Sequence, residues 1–141
     1  MPSVPSDLPD NAQHVHTTEI AIRWGDMDAG GHVNNSRFFT YFEEARVDWL
    51  GAALSRPLFQ TSGPVLAEAS CDFQQPLVHP ATLTIDVYAT PAGRSSLKTA
   101  YDAFLKASGD RVAVGTAVLV WVDVETGEPV PAPDLGLQSS K

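Results

Sequence analysis

The amino-acid sequence predicts an α+β protein in which one long helix covers one face of a five-stranded antiparallel sheet. Residues 35–51 have apolar side chains at helical spacing, whereas other segments alternate apolar and polar residues with a period of two. The order is one strand, the helix and four more strands, and short turns between those four predict antiparallel hairpins. The 141 residues fit a single domain, and no internal repeat is visible.

The first strand is predicted over residues 15–24, because β-branched residues dominate it (Val15, Thr17, Thr18, Ile20 and Ile22). The helix follows over residues 35–51, where an apolar stripe recurs at steps of four, three and four (Phe38, Phe42, Ala45 and Trp49). Asn34, Asn35 and Ser36 can cap its start, and Gly51 can end it. Three aromatic residues in that stripe indicate a helix packed deeply against the sheet.

Each of the four later strands is predicted from its pattern. In the second, apolar residues alternate with polar ones (Val65, Ala67, Ala69, Cys71 and Phe73). The third and fourth alternate similarly (Leu83, Ile85, Val87 and Ala89; then Leu97, Tyr101, Ala103 and Leu105). The last is the longest and has valines on one face (Val112, Val114, Val118, Val120 and Val122). Turn residues at 91–94 lead into the fourth strand, and turns at 108–110 and 126–127 bound the last one.

The composition limits the classes of function. A net charge of −8 and a pI near 4.7 argue against a nucleic-acid or anionic-membrane partner. A lone Cys71 excludes an internal disulfide, and the chain shows neither a signal peptide nor an apolar run of membrane length, so we expect a cytoplasmic protein. Residues 1–13 and 129–141, rich in Pro and polar residues, are expected to be flexible tails around a domain at 14–128.

Residues 23–46 concentrate the candidate chemistry. Asp26 and Asp28 follow the first strand, and Gly30, Gly31, His32, Asn34 and Asn35 lead into the helix. Three hypotheses compete for the acid pair: a phosphatase of the haloacid dehalogenase type, a divalent-metal site with His14, His16 and His32, or one catalytic carboxylate beside one structural one. The phosphatase would need an α/β domain, and the histidines lack a ligand spacing typical of metal sites.

The third hypothesis has the better physical support, although a capped turn without chemistry also fits the spacing. A carboxylate beside a helix N-terminus stays ionised, ready to act as base or nucleophile. Backbone N–H groups there can polarise a carbonyl oxygen. Glu43 and Arg46 share one edge of the helix. Either they form an i,i+3 ion pair, or Glu43 is an acidic residue near the active loop or at a subunit interface. Cys71 is expected to be a small core residue.

This loop and helix resemble the 4-hydroxybenzoyl-CoA thioesterase family of the hotdog fold. The resemblance rests on a motif of spaced residues (Arg23, Trp24, Asp26, Asp28, Gly31, His32, Val33, Asn34, Asn35, Phe39, Tyr41, Phe42, Glu43, Ala45 and Arg46). Supporting stretches at 64–68, 93–97 and 120–127 extend it over roughly residues 14–133.

The resemblance implies a hotdog fold, a long helix wrapped by a five-stranded antiparallel sheet. It implies hydrolysis of an acyl-CoA thioester, fatty or aromatic, without metal or bound cofactor, by a homodimer or homotetramer whose sites lie between subunits. Asp28 matches the catalytic aspartate of the family, which acts as nucleophile or general base. Supporting roles fall on Asp26, Gly31, His32, Asn34, Asn35 and Glu43, and Arg94 is a candidate for a CoA phosphate contact.

Several choices stay open at the level of sequence. The N–H that polarises the carbonyl belongs either to the helix start near Ser36 or to the turn at 61–64 of either subunit. Acyl carrier protein is an alternative to CoA as the carrier. The rival hypothesis is a non-catalytic hotdog protein that binds acyl-thioesters or serves as an assembly partner, since fold does not fix function.

Overall fold

The computed structural model describes residues 11–137, so the expectations for residues 1–10 and 138–141 lie outside it. Its helix is α1 (Asn35–Ala53), and its strands are β1 (Gln13–Ala21), β2 (Ser62–Phe73), β3 (Thr82–Pro91), β4 (Ser96–Leu105) and β5 (Arg111–Asp123). All neighbouring strands pair antiparallel in one five-stranded sheet. The predicted α+β hotdog architecture is therefore confirmed.

The strand order in the sheet is β1-β3-β4-β5-β2. The prediction of hairpins throughout the last four strands was wrong for β2 and β3, which lie apart. Residues 74–81 cross the end of the sheet between them, and backbone hydrogen bonds hold this connection to β5 (Gln74 N–H to Val112 O, 2.8 Å) and to the loop after β1 (Ile22 N–H to Ala81 O, 2.9 Å). Consequently β1 and β2 are the two edge strands.

Helix α1 packs its predicted stripe into the sheet. Phe38, Phe42, Ala45 and Trp49 are each at most 3% exposed. The Phe42 ring stacks on Tyr101 of β4 with centroids 4.9 Å apart, and it covers Gly115 of β5 so closely that a Cβ there would overlap the ring. Glycine at 115 therefore lets the helix approach the sheet.

The face of β5 that meets the helix is the one with small residues. Ala113, Ala117, Leu119 and Trp121 belong to the core. On the alternate face, Val112 and Val114 are buried, whereas Val118, Val120 and Val122 are half-buried. The large Phe42 ring fits closely over Gly115, so the face of β5 that carries this glycine is the one that meets the helix.

β2 departs from its predicted alternation. A register shift lies between Leu66 and Glu68, and Cys71 beyond it packs against the core. Residues 65–70 are all exposed, because β2 has a neighbour on one side only. Burial raises the pKa of the Cys71 thiol to about 12, in agreement with a core role for this residue.

Two predicted boundaries shift. β1 ends at Ala21 rather than at Trp24, because Trp24–Asp26 forms a 3-10 turn whose Asp26 side chain accepts a hydrogen bond from the Arg23 backbone N–H. Helix α1 continues past Gly51 to Ala53. A glycine costs a helix only about 1 kcal/mol, and the two alanines that follow favour continuation.

Residues 129–137 were expected to belong to a flexible tail, but they lie against the domain. The Val130 N–H donates to the Trp121 carbonyl at 2.9 Å and the Ala132 N–H to the Arg94 carbonyl at 3.0 Å. Val130, Ala132, Leu135 and Leu137 pack on the core. Apolar side chains interspersed among the prolines provide this contact, and the proline content of the segment obscured it.

Candidate active site

The loop between β1 and α1 is held in shape by backbone hydrogen bonds. The Asp28 N–H donates to the His32 carbonyl and the Gly31 N–H to the Asp28 carbonyl, each at 3.0 Å. Gly31 has a positive φ of 80°, a conformation that glycine adopts without strain. The Val33 N–H donates to the Leu77 carbonyl at 2.8 Å. The loop is therefore a closed turn fixed to the 74–81 connection.

Asp28 lies at the tip of this turn with its carboxylate oriented by two donors. Oδ1 accepts the Gly30 N–H at 2.9 Å, and Oδ2 accepts the Asn34 side-chain amide at 3.0 Å. Asp28 is exposed. A carboxylate oxygen can accept two hydrogen bonds, so each oxygen of Asp28 has a further lone pair available.

Asn34 joins Asp28 to the start of the helix. It is the N-cap of α1, and its Oδ1 accepts both the Ser36 N–H (2.9 Å) and the Ser36 hydroxyl (2.7 Å). Its Nδ2 is the donor to Asp28. One amide side chain thus caps the helix with its oxygen and orients Asp28 with its nitrogen.

Asp26 is the buried member of the pair, with 7% of its surface exposed. The Tyr41 hydroxyl donates to its Oδ2 at 2.7 Å, and the Arg23 backbone N–H donates to the same oxygen. The Arg37 Nε lies 3.8 Å from Oδ1. Burial alone would raise the pKa of Asp26, but these hydrogen bonds and the charges of Arg37 and Arg23 outweigh it and hold the pKa below its ordinary value.

Tyr41 is a residue of this site to which sequence reasoning gave no role. Burial and the Asp26 carboxylate raise the pKa of its hydroxyl, which therefore remains a hydrogen-bond donor. Asp26 in turn accepts the Asn34 backbone N–H through its own carbonyl at 2.9 Å. The helical spacing placed Tyr41 beside Phe38 and Phe42, but only the fold brings its hydroxyl to Asp26.

A cavity of about 310 Å³ opens at the N-terminus of α1. It is lined by His32 from the loop, by Asn35 at the start of α1, and by Phe38 and Phe73, whose rings meet edge to face at 5.3 Å. Residues 74–77 complete the wall. Asp28 is outside this lining, although Asn34 ties its carboxylate to the adjoining helix start.

Glu43 and Arg94 lie away from the loop. Glu43 is exposed, and no ion pair joins it to another residue within 11–137, so the predicted pair with Arg46 does not form. The Arg46 charge instead acts on Tyr101, offsetting part of the rise in pKa that burial gives this hydroxyl. Arg94 lies in the turn after β3, at the end of the sheet opposite the Asp28 loop.

The three histidines of the metal hypothesis are held apart. His14 interacts with Asp86 at 3.2 Å, His16 with Asp48 at 2.7 Å, and His32 lines the cavity at the helix start. Within residues 11–137, no three His, Cys, Asp or Glu side chains are grouped so that they could hold a metal ion. Over the same range, no helix has the length and apolar character needed to cross a membrane.

The fold and this loop define a hotdog protein of thioesterase type. The chain belongs to the thioesterase-like superfamily, whose family model matches residues 22–138. The resemblance inferred from the sequence is thereby confirmed, and the expectation of a thioester hydrolase is confirmed at the level of the family.

Individual relatives agree with this assignment. A thioesterase candidate from Pseudomonas aeruginosa, PA2801, is 39% identical with a TM-score of 0.77, over 86% of this chain and 95% of the other. A Thermus thermophilus thioesterase solved with coenzyme A and Zn is 29% identical with a TM-score of 0.74, over 87% and 94%. The uncharacterised YsmA of Bacillus subtilis is 29% identical over 79% of this chain and 76% of its own.

Proposed function

We propose that this protein hydrolyses acyl-CoA thioesters and that Asp28 is its catalytic carboxylate, acting either as nucleophile or as general base toward water. The observation that carries the proposal is the Asp28 carboxylate, exposed yet fixed by the Gly30 N–H and the Asn34 amide. A carboxylate that is oriented but has unused lone pairs fits attack on a carbonyl carbon or on water.

The Asn35 backbone N–H is our choice for the donor that polarises the thioester carbonyl. The Ser36 N–H is already engaged by Asn34 Oδ1, and the Arg37 N–H by the Asn34 carbonyl at 2.9 Å. The first N–H groups of a helix lack intrahelical partners, so the Asn35 N–H suits a developing oxyanion. Asn35 also lines the cavity at the helix start.

The acyl group fits the cavity beside Asn35. Phe38, Phe73 and Val33 give it an apolar wall, and aromatic edges favour both aromatic and fatty acyl groups. Gln74 and Gln75 at its border offer polar contacts to a ring substituent. Its volume of about 310 Å³ is at the lower end of the ~300–1,000 Å³ usual for small-molecule sites.

A second copy of the chain would complete this site. β2 is an edge strand on which Val65 and Leu66 are 42% and 50% exposed, and Phe73 beside the cavity is 41% exposed. Edge strands with exposed apolar residues invite pairing with another strand. We therefore propose a homodimer, or a tetramer built from it, with a partner chain against β2.

Arg94 would then serve the partner's site rather than its own. β3 has ten residues at about 3.3 Å each, which separates its two ends by about 30 Å. Arg94 follows one end, and the Asp28 loop joins the other through Ile22 and Ala81. A contact from Arg94 to a phosphate of CoA would therefore cross the subunit boundary. The same holds if acyl carrier protein is the carrier instead of CoA.

The test is a panel of acyl-CoA substrates, from short to long and aromatic, with detection of the released thiol. Asp28→Asn keeps the size of the side chain and removes its charge, so hydrolysis should fall at least ~10²-fold. Glu125→Gln, which changes an exposed acid far from the loop, is the control and should keep the wild-type rate. Near wild-type turnover by Asp28→Asn would refute the assignment, and CoA binding without hydrolysis of any substrate would favour the non-catalytic rival.

A further inference from the structure

A separate cavity of about 350 Å³ lies at the end of helix α1 that is farthest from the Asp28 loop. The first residues of β1, the last turn of α1 and residues 135–137 form its walls. The 19 residues of α1 rise about 1.5 Å each, so about 28 Å separate this cavity from the start of the helix. A ligand held here therefore does not reach Asp28 or the cavity proposed for the acyl group.

The cavity lining contains a buried hydrogen-bond donor without an acceptor. The side-chain Nε2 of Gln13 is buried and has no hydrogen-bond partner among residues 11–137. The backbone of Gln13 pairs with Ala89 of β3, which fixes this residue at the start of β1. A buried donor without an acceptor costs free energy, and nearly all buried polar groups in proteins have a partner. The Gln13 amide therefore indicates that an acceptor atom from outside the fold enters the cavity.

The other walls of the cavity are mainly apolar. Val15 belongs to β1 and Trp49 to α1, and Leu135 and Leu137 pack on the core from the C-terminal side. Apolar walls around a small number of polar groups are typical of small-molecule sites, and the volume of about 350 Å³ lies within their usual range. The cavity thus suits a small molecule with an apolar body.

The charges at this end of the helix disfavour an anionic ligand. The C-terminal end of a helix carries about half a negative charge, and α1 ends at Ala53 in the cavity lining. Of the two histidines in the lining, His14 is engaged by Asp86 at 3.2 Å. His16 is engaged by Asp48 at 2.7 Å, and no Lys or Arg lines the cavity within the described part of the chain. The missing acceptor is therefore the oxygen of a neutral group, a carbonyl or a hydroxyl.

We propose that this cavity is a second binding site, for a small neutral molecule with an apolar body and one carbonyl or hydroxyl oxygen. The oxygen accepts the Gln13 amide, and the apolar body lies against Trp49 and Leu135. The proposal does not depend on the proposed function, because no residue of this lining belongs to the Asp28 loop or to the cavity at the start of α1.

The test titrates the full-length protein with 2-octanone, a neutral ketone, and with octanoate, an anion of the same chain length, under ¹H–¹⁵N NMR. The ketone should shift the side-chain amide signals of Gln13 in a saturable way, and octanoate should bind more weakly at neutral pH. Gln13→Met replaces the amide by an apolar side chain of similar length. It should weaken binding of the ketone about fivefold, since one neutral hydrogen bond is lost.

The same variant has a second signature in the ligand-free protein. Gln13→Met removes a buried donor that has no acceptor, so it should raise Tm while it weakens ketone binding. Gln60→Met changes an exposed glutamine outside the cavity and is the control, which should bind the ketone as wild type does. Ala52→Trp, at an exposed position of the lining, should block the ketone with little change in Tm. Gln13 signals that do not respond to 2-octanone, equal ketone affinity of Gln13→Met and wild type, or tighter binding of octanoate would overturn the proposal.

Discussion

The hydrogen bond from Tyr41 to Asp26 gives a prediction with consequences for both stability and rate. Tyr41→Phe removes one hydroxyl and leaves a ring of the same shape in its place. Asp26, 7% exposed, then keeps the Arg23 N–H and the nearby Arg37 but loses its shortest donor, at 2.7 Å. A buried carboxylate that loses a donor cannot recover the hydrogen bond from water.

The expected loss of stability follows from the charge and burial of Asp26. A hydrogen bond to a charged group contributes about 1.5–3 kcal/mol. For a chain of this size, each kcal/mol corresponds to about 2–4 °C in Tm. Tyr41→Phe should therefore lower Tm by about 3–12 °C near neutral pH.

The rate should fall as well, because Asp26 supports the residue that orients Asp28. Its carbonyl accepts the Asn34 N–H at 2.9 Å, and the Asn34 amide holds the Asp28 carboxylate at 3.0 Å. A small displacement of a reacting group can cost up to about 10²-fold in rate. We expect kcat to drop about tenfold with little change in KM, since Tyr41 does not line the cavity at the start of α1 that is proposed to hold the acyl group.

Calorimetric melting and steady-state kinetics of Tyr41→Phe would check both parts. Tyr88→Phe is the control, because Tyr88 is also buried but its hydroxyl finds no hydrogen-bond partner among residues 11–137. A Tyr41→Phe variant that melts and turns over like the Tyr88→Phe control would refute the argument.

Three further predictions concern charge, assembly and metal. Asp26→Asn should be about 1–3 kcal/mol less stable than wild type in urea unfolding at pH 7. Because the fold lowers the pKa of Asp26, the stabilisation by its charged form is present above the unfolded pKa of about 3.9 and is lost as pH falls through the folded pKa. The difference in stability should therefore shrink at pH 3, and a difference that grows in acid would contradict the prediction. Light scattering at micromolar concentration should return the mass of a dimer or tetramer, and the mass of one chain would count against a partner at β2. Hydrolysis should survive EDTA, and salt should mainly raise KM for acyl-CoA because phosphate contacts are screened over about 8 Å; activity lost to chelation and restored by Zn²⁺ or Mg²⁺ would favour the metal hypothesis.

The helix and the core strands could be predicted because the spacing of their apolar side chains, about 3.6 residues in the helix and two in the strands, indicates a single type of secondary structure in each case. Phe38, Phe42 and Trp49 bury the side of α1 that the spacing indicated. β5 was different, because its two faces are both apolar and only the fit of Phe42 over Gly115 decides which one meets the helix. Period alone cannot make that choice, since it depends on side chains that are distant in sequence.

The order of the strands and the C-terminal packing were hidden for a related reason. The 74–81 connection is short, so the sequence predicts a hairpin there, but its backbone hydrogen bonds are made to β5 and to the Asp28 loop. The alternative partners of a strand differ little in local sequence. Only the long-range register, β1 with β3 and β5 with β2, settles the topology.

The two acids of the loop illustrate what the fold adds to a motif. In the sequence they are the same residue type two positions apart, and the division of roles between them came from the resemblance. In the structure, Asp26 has one oxygen that accepts both the Tyr41 hydroxyl and the Arg23 N–H, and it is enclosed. Asp28 is exposed, and each of its oxygens accepts a single hydrogen bond. A buried carboxylate that is held by several donors suits a structural anchor, and an exposed, oriented one suits chemistry, so the physical environment independently supports assigning catalysis to Asp28.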